Sequence, residues 1–174
     1  MFSIKSQKSH KGSKHSSTRN GLKRRRGGSV LEMAIVMTLL GYIIWGMVEF
    51  AYFFFVKNTM EGAAREGCRA GIVTGATNSA CNTAVANQLQ AANLVSTSVT
   101  PSGSGPYTIG NYTVEYDDST SGTKNVNVAN ITVGDTLTVT VTFTWGSVNQ
   151  AFRPAQFISS TKQVLTASSM RVEG

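Results

Sequence analysis

The longest apolar run of the chain lies between Met33 and Val56, where Glu49 is the only charged residue among twenty-four positions. At about 1.5 Å per helical residue the run reaches roughly 36 Å, enough to cross a hydrocarbon core of ~30 Å with some tilt. A soluble helix of that length normally has a polar face, and this one has almost none. The pattern predicts a transmembrane helix over residues 28–56. The alternative is a buried helix of a larger soluble domain, but the remaining residues are too polar to surround it.

The helical pattern continues beyond the span, through residues 57–94. Glu61 and Arg65 stand four residues apart, a spacing at which opposite charges support a helix. A stripe of small residues at Ala63, Gly67 and Ala70/Gly71 suits the close approach of another backbone, although simple tolerance of small residues explains it equally well. Glycines 71 and 75 then end the helix, and a second helix is predicted from about Asn78 to Leu94, with Asn78 or Ser79 as its cap. Its predicted buried positions are Ala80, Ala84, Val85, Leu89 and Ala92.

Residues 95–174 change to a strand pattern. Between residues 136 and 145 five threonines alternate with five apolar residues, which is typical of a strand with one buried face. Further strands are predicted at 107–115, with a turn near Gly110, and at 162–172. The predicted fold class is α+β, with a long amino-terminal transmembrane helix followed by a small exported domain of one short helix and an antiparallel sheet.

The net charge of +7 belongs to the leader, residues 1–27. Nine of the sixteen basic residues and no acidic residue lie in positions 1–26, and everything from Gly27 onward carries a net charge of −2. A cationic block before the first span stays in the cytoplasm, so Arg24, Arg25 and Arg26 predict an extracytoplasmic carboxyl-terminal domain. Since a nucleic-acid-binding domain would spread its basic residues over a folded face, no nucleic-acid partner is expected. A basic arm touching nucleic acid or anionic lipid stays open on composition alone.

Two carboxylates lie within or at the start of the apolar run. Ionisable groups at membrane depth are costly, so Glu32 and Glu49 each call for a partner. Seventeen residues separate them, roughly 25 Å along one helix, which is too far for a catalytic pair. A newly formed amino terminus at the depth of Glu32 would supply one such partner. Glu49 is predicted to contact another subunit or another helix, or to lie protonated in the membrane.

The two cysteines, Cys68 and Cys81, both follow the span and so lie on the predicted exported side. In an oxidising compartment such a pair is expected to form a disulfide, worth roughly 3 kcal/mol for a loop of this size. Two cysteines do not make a zinc site, and both histidines precede the span, so no metal or other cofactor is expected. Nor does the sequence contain a P-loop or a nucleophile elbow, and no enzymatic activity is predicted.

The helical region resembles the signature of the TadE-like pseudopilins of the tight-adherence, or type IVc, pilus machinery. The elements that carry the resemblance are a basic cluster and glycine before Glu32, the G-x-x-E-F motif from Gly46 to Phe50, and the A-A-R-E-G-C-R stretch from Ala63 to Arg69. Glu32 is followed by Met33 where the family commonly has Phe. The resemblance implies a pilin-like fold and a class III prepilin signal that a membrane prepilin peptidase cuts.

The resemblance places the cut at Gly27 or Gly28. Cleavage between Gly27 and Gly28 makes Glu32 the fifth residue of the mature chain, and cleavage after Gly28 makes it the fourth. In the family scheme the carboxylate of Glu32 neutralises the new amine of a neighbouring subunit. The implied partners are the prepilin peptidase, other pilin or pseudopilin subunits, the inner-membrane assembly platform and membrane lipid.

The sequence thus predicts a structural minor pseudopilin, held in the inner membrane with its amino terminus in the cytoplasm, that supports pilus assembly and surface adhesion. The alternative is a single-pass protein that is never cleaved and whose extracytoplasmic β domain binds a partner.

Overall fold

A computed structural model of the chain describes residues 25–96, 101, 103, 105–148 and 156–173. Residues 1–24 of the leader, including Arg24, lie outside the described residues, and only the backbone is described for residues 25–27. The chain divides into two compact units, Met1–Gly41 and Tyr42–Gly174. The predicted boundaries at 27, 56 and 94 stay predictions.

Helix α1 runs from Arg25 to Gly71. It is long and apolar enough to cross a membrane, and its most apolar stretch has no buried residue. From Gly28 to Val48 every residue is exposed except two half-buried glycines, and Glu49 is the first fully buried residue. One long apolar helix of this kind indicates a membrane anchor.

Helix α2 and a four-stranded sheet complete the second unit. Helix α2 runs from Asn78 to Ala91 and is capped by Thr77, whose side chain accepts a hydrogen bond from the backbone N–H of Ala80. The strands follow in chain order across an antiparallel sheet: β1 Tyr107–Ile109, β2 Tyr112–Asp118, β3 Thr136–Thr144 and β4 Gln163–Arg171. The predicted α+β fold class is confirmed.

One face of the sheet forms the core with both helices. In β3 the apolar positions Leu137 to Phe143 are buried, as the alternation predicted, although Thr140 is buried as well. Trp145 lies just after β3, fully buried, with its ring centroid 5.1 Å from that of Phe53 in α1. The hydroxyl of Tyr116 in β2 donates a 2.7 Å hydrogen bond to Asn82 of α2. These contacts tie both helices to the same face.

Two glycines let α1 approach the core closely. A Cβ added to Gly67 would lie 2.7 Å from Val85 of α2, and one added to Gly71 would lie 2.4 Å from Leu137 of β3. Side chains of the second helix and of the sheet therefore pack against the stripe of small residues. The predicted ion pair of Glu61 with Arg65 is present on the exposed side of the same helix.

The prediction of α2 was partly wrong. The helix ends at Ala91, three residues before the predicted end, and its cap is Thr77 instead of Asn78 or Ser79. Ala80 was expected inside but is exposed, whereas Cys81 and Asn82 are buried. With so many alanines and polar residues, the helix has a weak apolar face, so tertiary contacts decide which side is covered.

The predicted disulfide is wrong: both cysteines are free thiols. The Sγ of Cys68 donates a hydrogen bond to the carbonyl oxygen of Ser168 in β4 at 3.0 Å, so this thiol points at the sheet. Cys81 is fully buried beside Gly71, and burial raises the pKa of its thiol to about 11. Both cysteines therefore act as small buried core residues.

Candidate membrane and subunit-contact site

The amino-terminal carboxylate, Glu32, is exposed on α1. It makes no hydrogen bond or ion pair with any residue that the structure describes. Its neighbours Leu31 and Met33 are exposed too, at 65% and 54%. A carboxylate surrounded by exposed apolar side chains is costly in a bilayer unless a positive charge meets it. The predicted contact of Glu32 with a new amino terminus thus stays a prediction, and the geometry leaves the carboxylate accessible for it.

The predicted processing site, Gly27 and Gly28, lies in the first turn of α1. A Cβ added to Gly28 would meet no atom within 4 Å among the described residues. Adjacent glycines lower helix stability, by about 1 kcal/mol each relative to alanine, so the backbone here can open at low cost. An accessible, easily opened backbone is what a peptidase needs at its scissile bond.

The second carboxylate, Glu49, has a different environment. It is fully buried, and its two oxygens accept hydrogen bonds from two consecutive backbone N–H groups, those of Phe157 at 3.0 Å and Ile158 at 3.1 Å. Both donors belong to the segment that precedes β4. Hydrogen bonds from backbone N–H groups to a carboxylate are charge-assisted and stronger than neutral ones. Glu49 therefore fastens this segment to α1.

Gly46 completes the same arrangement one helical turn before Glu49. A Cβ added to Gly46 would lie 3.3 Å from Cε2 of Phe157, so the missing side chain makes room for the ring. The ring and the exposed surface of α1 line a shallow apolar groove, formed by Tyr42, Ile43, Gly46, Met47, Phe50 and Phe157. The G-x-x-E spacing thus holds the segment in two ways, with the glycine seating the ring and the glutamate binding the backbone.

Sequence reasoning missed the partners of Glu49. More than one hundred residues separate it from Phe157 and Ile158, and the interaction uses backbone N–H groups, which every non-proline residue has. The one available signal is the glycine three residues before the glutamate, which indicates close approach of something to the helix. A contact of Glu49 with another subunit stays a prediction, and the structure shows its carboxylate bound within its own chain.

Comparison with known proteins bears on the helix alone. Residues 27–69 match the family model described as TadE-like protein, and the match lies within α1. No curated protein and no solved structure matches the chain. TadE-like proteins are a structural, pilus-associated family. Helix α1 is therefore similar to the corresponding segment of the TadE-like proteins, and this similarity suggests involvement in a Tad pilus system.

Proposed function

We propose that this protein is a minor pseudopilin of a tight-adherence, type IVc pilus system, a structural subunit that supports pilus assembly and adhesion. The observation that carries the proposal is the TadE-like segment at residues 27–69, in which the exposed Gly28 begins a long exposed apolar stretch of helix. The basic leader stays in the cytoplasm, the helix crosses the inner membrane, and the unit that contains the sheet lies outside the cytoplasm.

Processing at Gly27 or Gly28 changes the electrostatics of the helix start. It removes the nine basic residues of the leader and creates one amine a few residues from Glu32. In the pilus, the Glu32 carboxylate of one subunit meets the new amine of its neighbour. In a low-dielectric environment such a pair is much stronger than in water, and it aligns the helices of adjacent subunits at a fixed depth.

The proposal is tested by intact mass and amino-terminal sequencing of the membrane-extracted protein, with and without a co-expressed prepilin peptidase. A chain that begins at Gly28 or Ser29 only when the peptidase is present supports the proposal and fixes the position of Glu32. A chain that keeps its arginine cluster in both samples contradicts it and leaves an uncleaved, membrane-anchored binding domain.

Glu32→Gln separates cleavage from assembly. Because Glu32 lies beyond the scissile bond, the variant should still be cleaved while failing to enter pili or to associate with other subunits. Glu61→Gln is the matched control, since it removes an exposed carboxylate on the same helix that pairs with Arg65 of its own chain. If Glu32→Gln associates with other subunits normally, the proposed contact between Glu32 and the new amine is contradicted.

A further inference from the structure

The segment that Glu49 holds against α1 presents an apolar ring to the outside. Phe157 is 50% exposed although its ring packs over Gly46. The helix side chains around it are exposed to a similar degree: Tyr42 62%, Ile43 48%, Met47 66% and Phe50 48%. Among the residues that the structure describes, no charged side chain lines this groove. Phe157 therefore enlarges an apolar surface that already belongs to the membrane-anchoring helix.

We propose that the segment around Phe157 is a second membrane contact, inserted among the acyl chains of the leaflet nearest to the sheet-containing unit. The apolar surface of α1 continues directly into the groove, so the lipid that covers Ile43 and Met47 also covers the ring. Residues 28–48 span about 31 Å as a helix, close to a hydrocarbon thickness of ~30 Å, which places Gly46 near one edge of that layer. The inference rests on the proposed membrane anchor, but not on cleavage or on a role in pili.

Backbone hydrogen bonding supports this location. An irregular segment enters the edge of a bilayer only if its N–H groups are satisfied, because each unpaired group costs several kcal/mol there. The carboxylate of Glu49 satisfies the N–H groups of both Phe157 and Ile158. The same contact buries the charge of Glu49 against protein donors. One carboxylate thus makes both the helix and the segment compatible with the membrane edge.

Site-directed spin labelling of the full chain in phosphatidylcholine–phosphatidylglycerol vesicles tests the inference. Cys68 and Cys81 are fully buried, so a maleimide or methanethiosulfonate label added under native conditions goes to an introduced cysteine. The test positions are Phe157→Cys and Gln156→Cys, the second of which keeps the ring in place. Ile35→Cys reports on the anchor and Val133→Cys on the exposed surface of the sheet-containing unit.

The readout is the ratio of accessibility to oxygen, which concentrates in lipid, over accessibility to a water-soluble nickel complex. We expect a ratio several-fold higher at positions 35, 156 and 157 than at position 133. A lipid-like value at 35 with a water-like value at 156 and 157 overturns the inference and leaves the anchor intact. Low accessibility to both reagents at 156 and 157 also overturns it, since it shows coverage by a second copy or another protein. A water-like accessibility ratio at position 35 contradicts the membrane anchor on which the inference rests.

A charge substitution gives an independent check. In the Gln156→Cys background, Phe157→Asp should move the label toward water, because a carboxylate at this position resists entry into lipid. Val133→Asp is the matched control and should leave the label unchanged. An unchanged lipid-like value in the Phe157→Asp variant would show that the ring does not hold the segment in the membrane.

Discussion

Helix α1 is continuous, but its amino-terminal part is exposed and its carboxyl-terminal part is packed against the core. From Gly28 to Leu40 every residue is exposed and most are apolar, whereas Val56, Met60 and Cys68 are fully buried in the core of the second unit. The glycines show the same contrast, since a Cβ on Gly41 meets nothing within 4 Å and a Cβ on Gly71 meets three side chains.

The contrast shows that one helix is suited to two environments, lipid along its amino-terminal part and the protein core along its carboxyl-terminal part. The amino-terminal part carries large apolar side chains that lipid can cover, and the carboxyl-terminal part carries small residues that admit α2 and the sheet. Glu49 stands where exposure gives way to burial. Composition distinguishes the two parts as well, since residues 57–71 carry five charged side chains and the run from Met33 to Val56 carries one.

Removal of the Glu49 carboxylate is the largest expected change. Glu49→Ala leaves two N–H groups without their acceptor, and we expect a loss of about 3 kcal/mol or more in the free energy of unfolding. The amides of Phe157 and Ile158 should lose most of their protection in hydrogen exchange. Thermal unfolding in detergent and exchange mass spectrometry measure the two effects. Glu49→Gln should lie in between, because it keeps one acceptor oxygen.

Glu61→Ala is the control for this experiment, since its exposed pair with Arg65 is worth only about 0.5 kcal/mol. If Glu49→Ala unfolds like the unchanged protein and fails only to associate with other subunits, then the carboxylate acts between chains and the intramolecular contact is incidental.

The glycines provide the next largest effect. Gly71→Ala and Gly67→Ala should each destabilise the fold by about 1–3 kcal/mol, since overpacking outweighs a helix-propensity gain of about 1 kcal/mol. Gly41→Ala is the matched control on the same helix and should leave stability unchanged or slightly raised. Denaturant midpoints in detergent measure all three. Equal midpoints for Gly71→Ala and Gly41→Ala would remove the distinction between the two parts of the helix.

Most of the elements of this fold could be predicted from the sequence because their signals are local. The alternation of threonine with apolar residues placed β3 within one residue of its observed end, and the glycines 71 and 75 placed the end of α1. Glu32 and the glycine pair were predicted from local signals too, since the resemblance depends on short spacings along one helix, and their roles stay predictions.

The remaining features depend on contacts between distant residues. The pairing of Glu49 with backbone N–H groups near Phe157 leaves no trace in side-chain identity. The disulfide was predicted wrongly because compartment and spacing do not show where each thiol points. The thiol of Cys68 points at the carbonyl oxygen of Ser168. Helix α2 was misplaced because its apolar face is too weak to define which side packs.

The burial of Cys81 should make the protein less stable at alkaline pH. Burial raises the pKa of this thiol from 9.0 to about 11, so the unfolded chain loses the proton first. The stabilising contribution is fully present below pH 9 and is lost as the pH rises toward 11, by about 3 kcal/mol at most. Denaturant unfolding at pH 8, 9 and 10 measures the slope. Cys81→Ala should flatten it, and an unchanged slope would show that the thiol is not buried in solution.

The smallest effect is expected at Asp118, a carboxylate that also accepts backbone hydrogen bonds but lies at the end of β2, away from α1 in sequence. The hydroxyl of Ser121, followed by the backbone N–H groups of Thr120 and Ser121, lowers the pKa of Asp118. Its contribution is therefore present above the ordinary value of 3.8 and is lost as the pH falls through the lowered pKa of the folded state.

Asp118→Asn should remove this part of the acid dependence, and Ser121→Ala should shift it to higher pH. Ser119→Ala is the control, since its hydroxyl bonds to Thr138 instead. Unfolding midpoints between pH 2 and pH 5 give the comparison. Because Asp118 keeps 8% of its surface exposed and Glu49 keeps none, water reaches the partners of Asp118 more easily, and the loss in Asp118→Asn should be below that in Glu49→Ala. A comparable loss in both would mean that burial adds nothing to the Glu49 contact and that the end of β2 is as closed to water as the core.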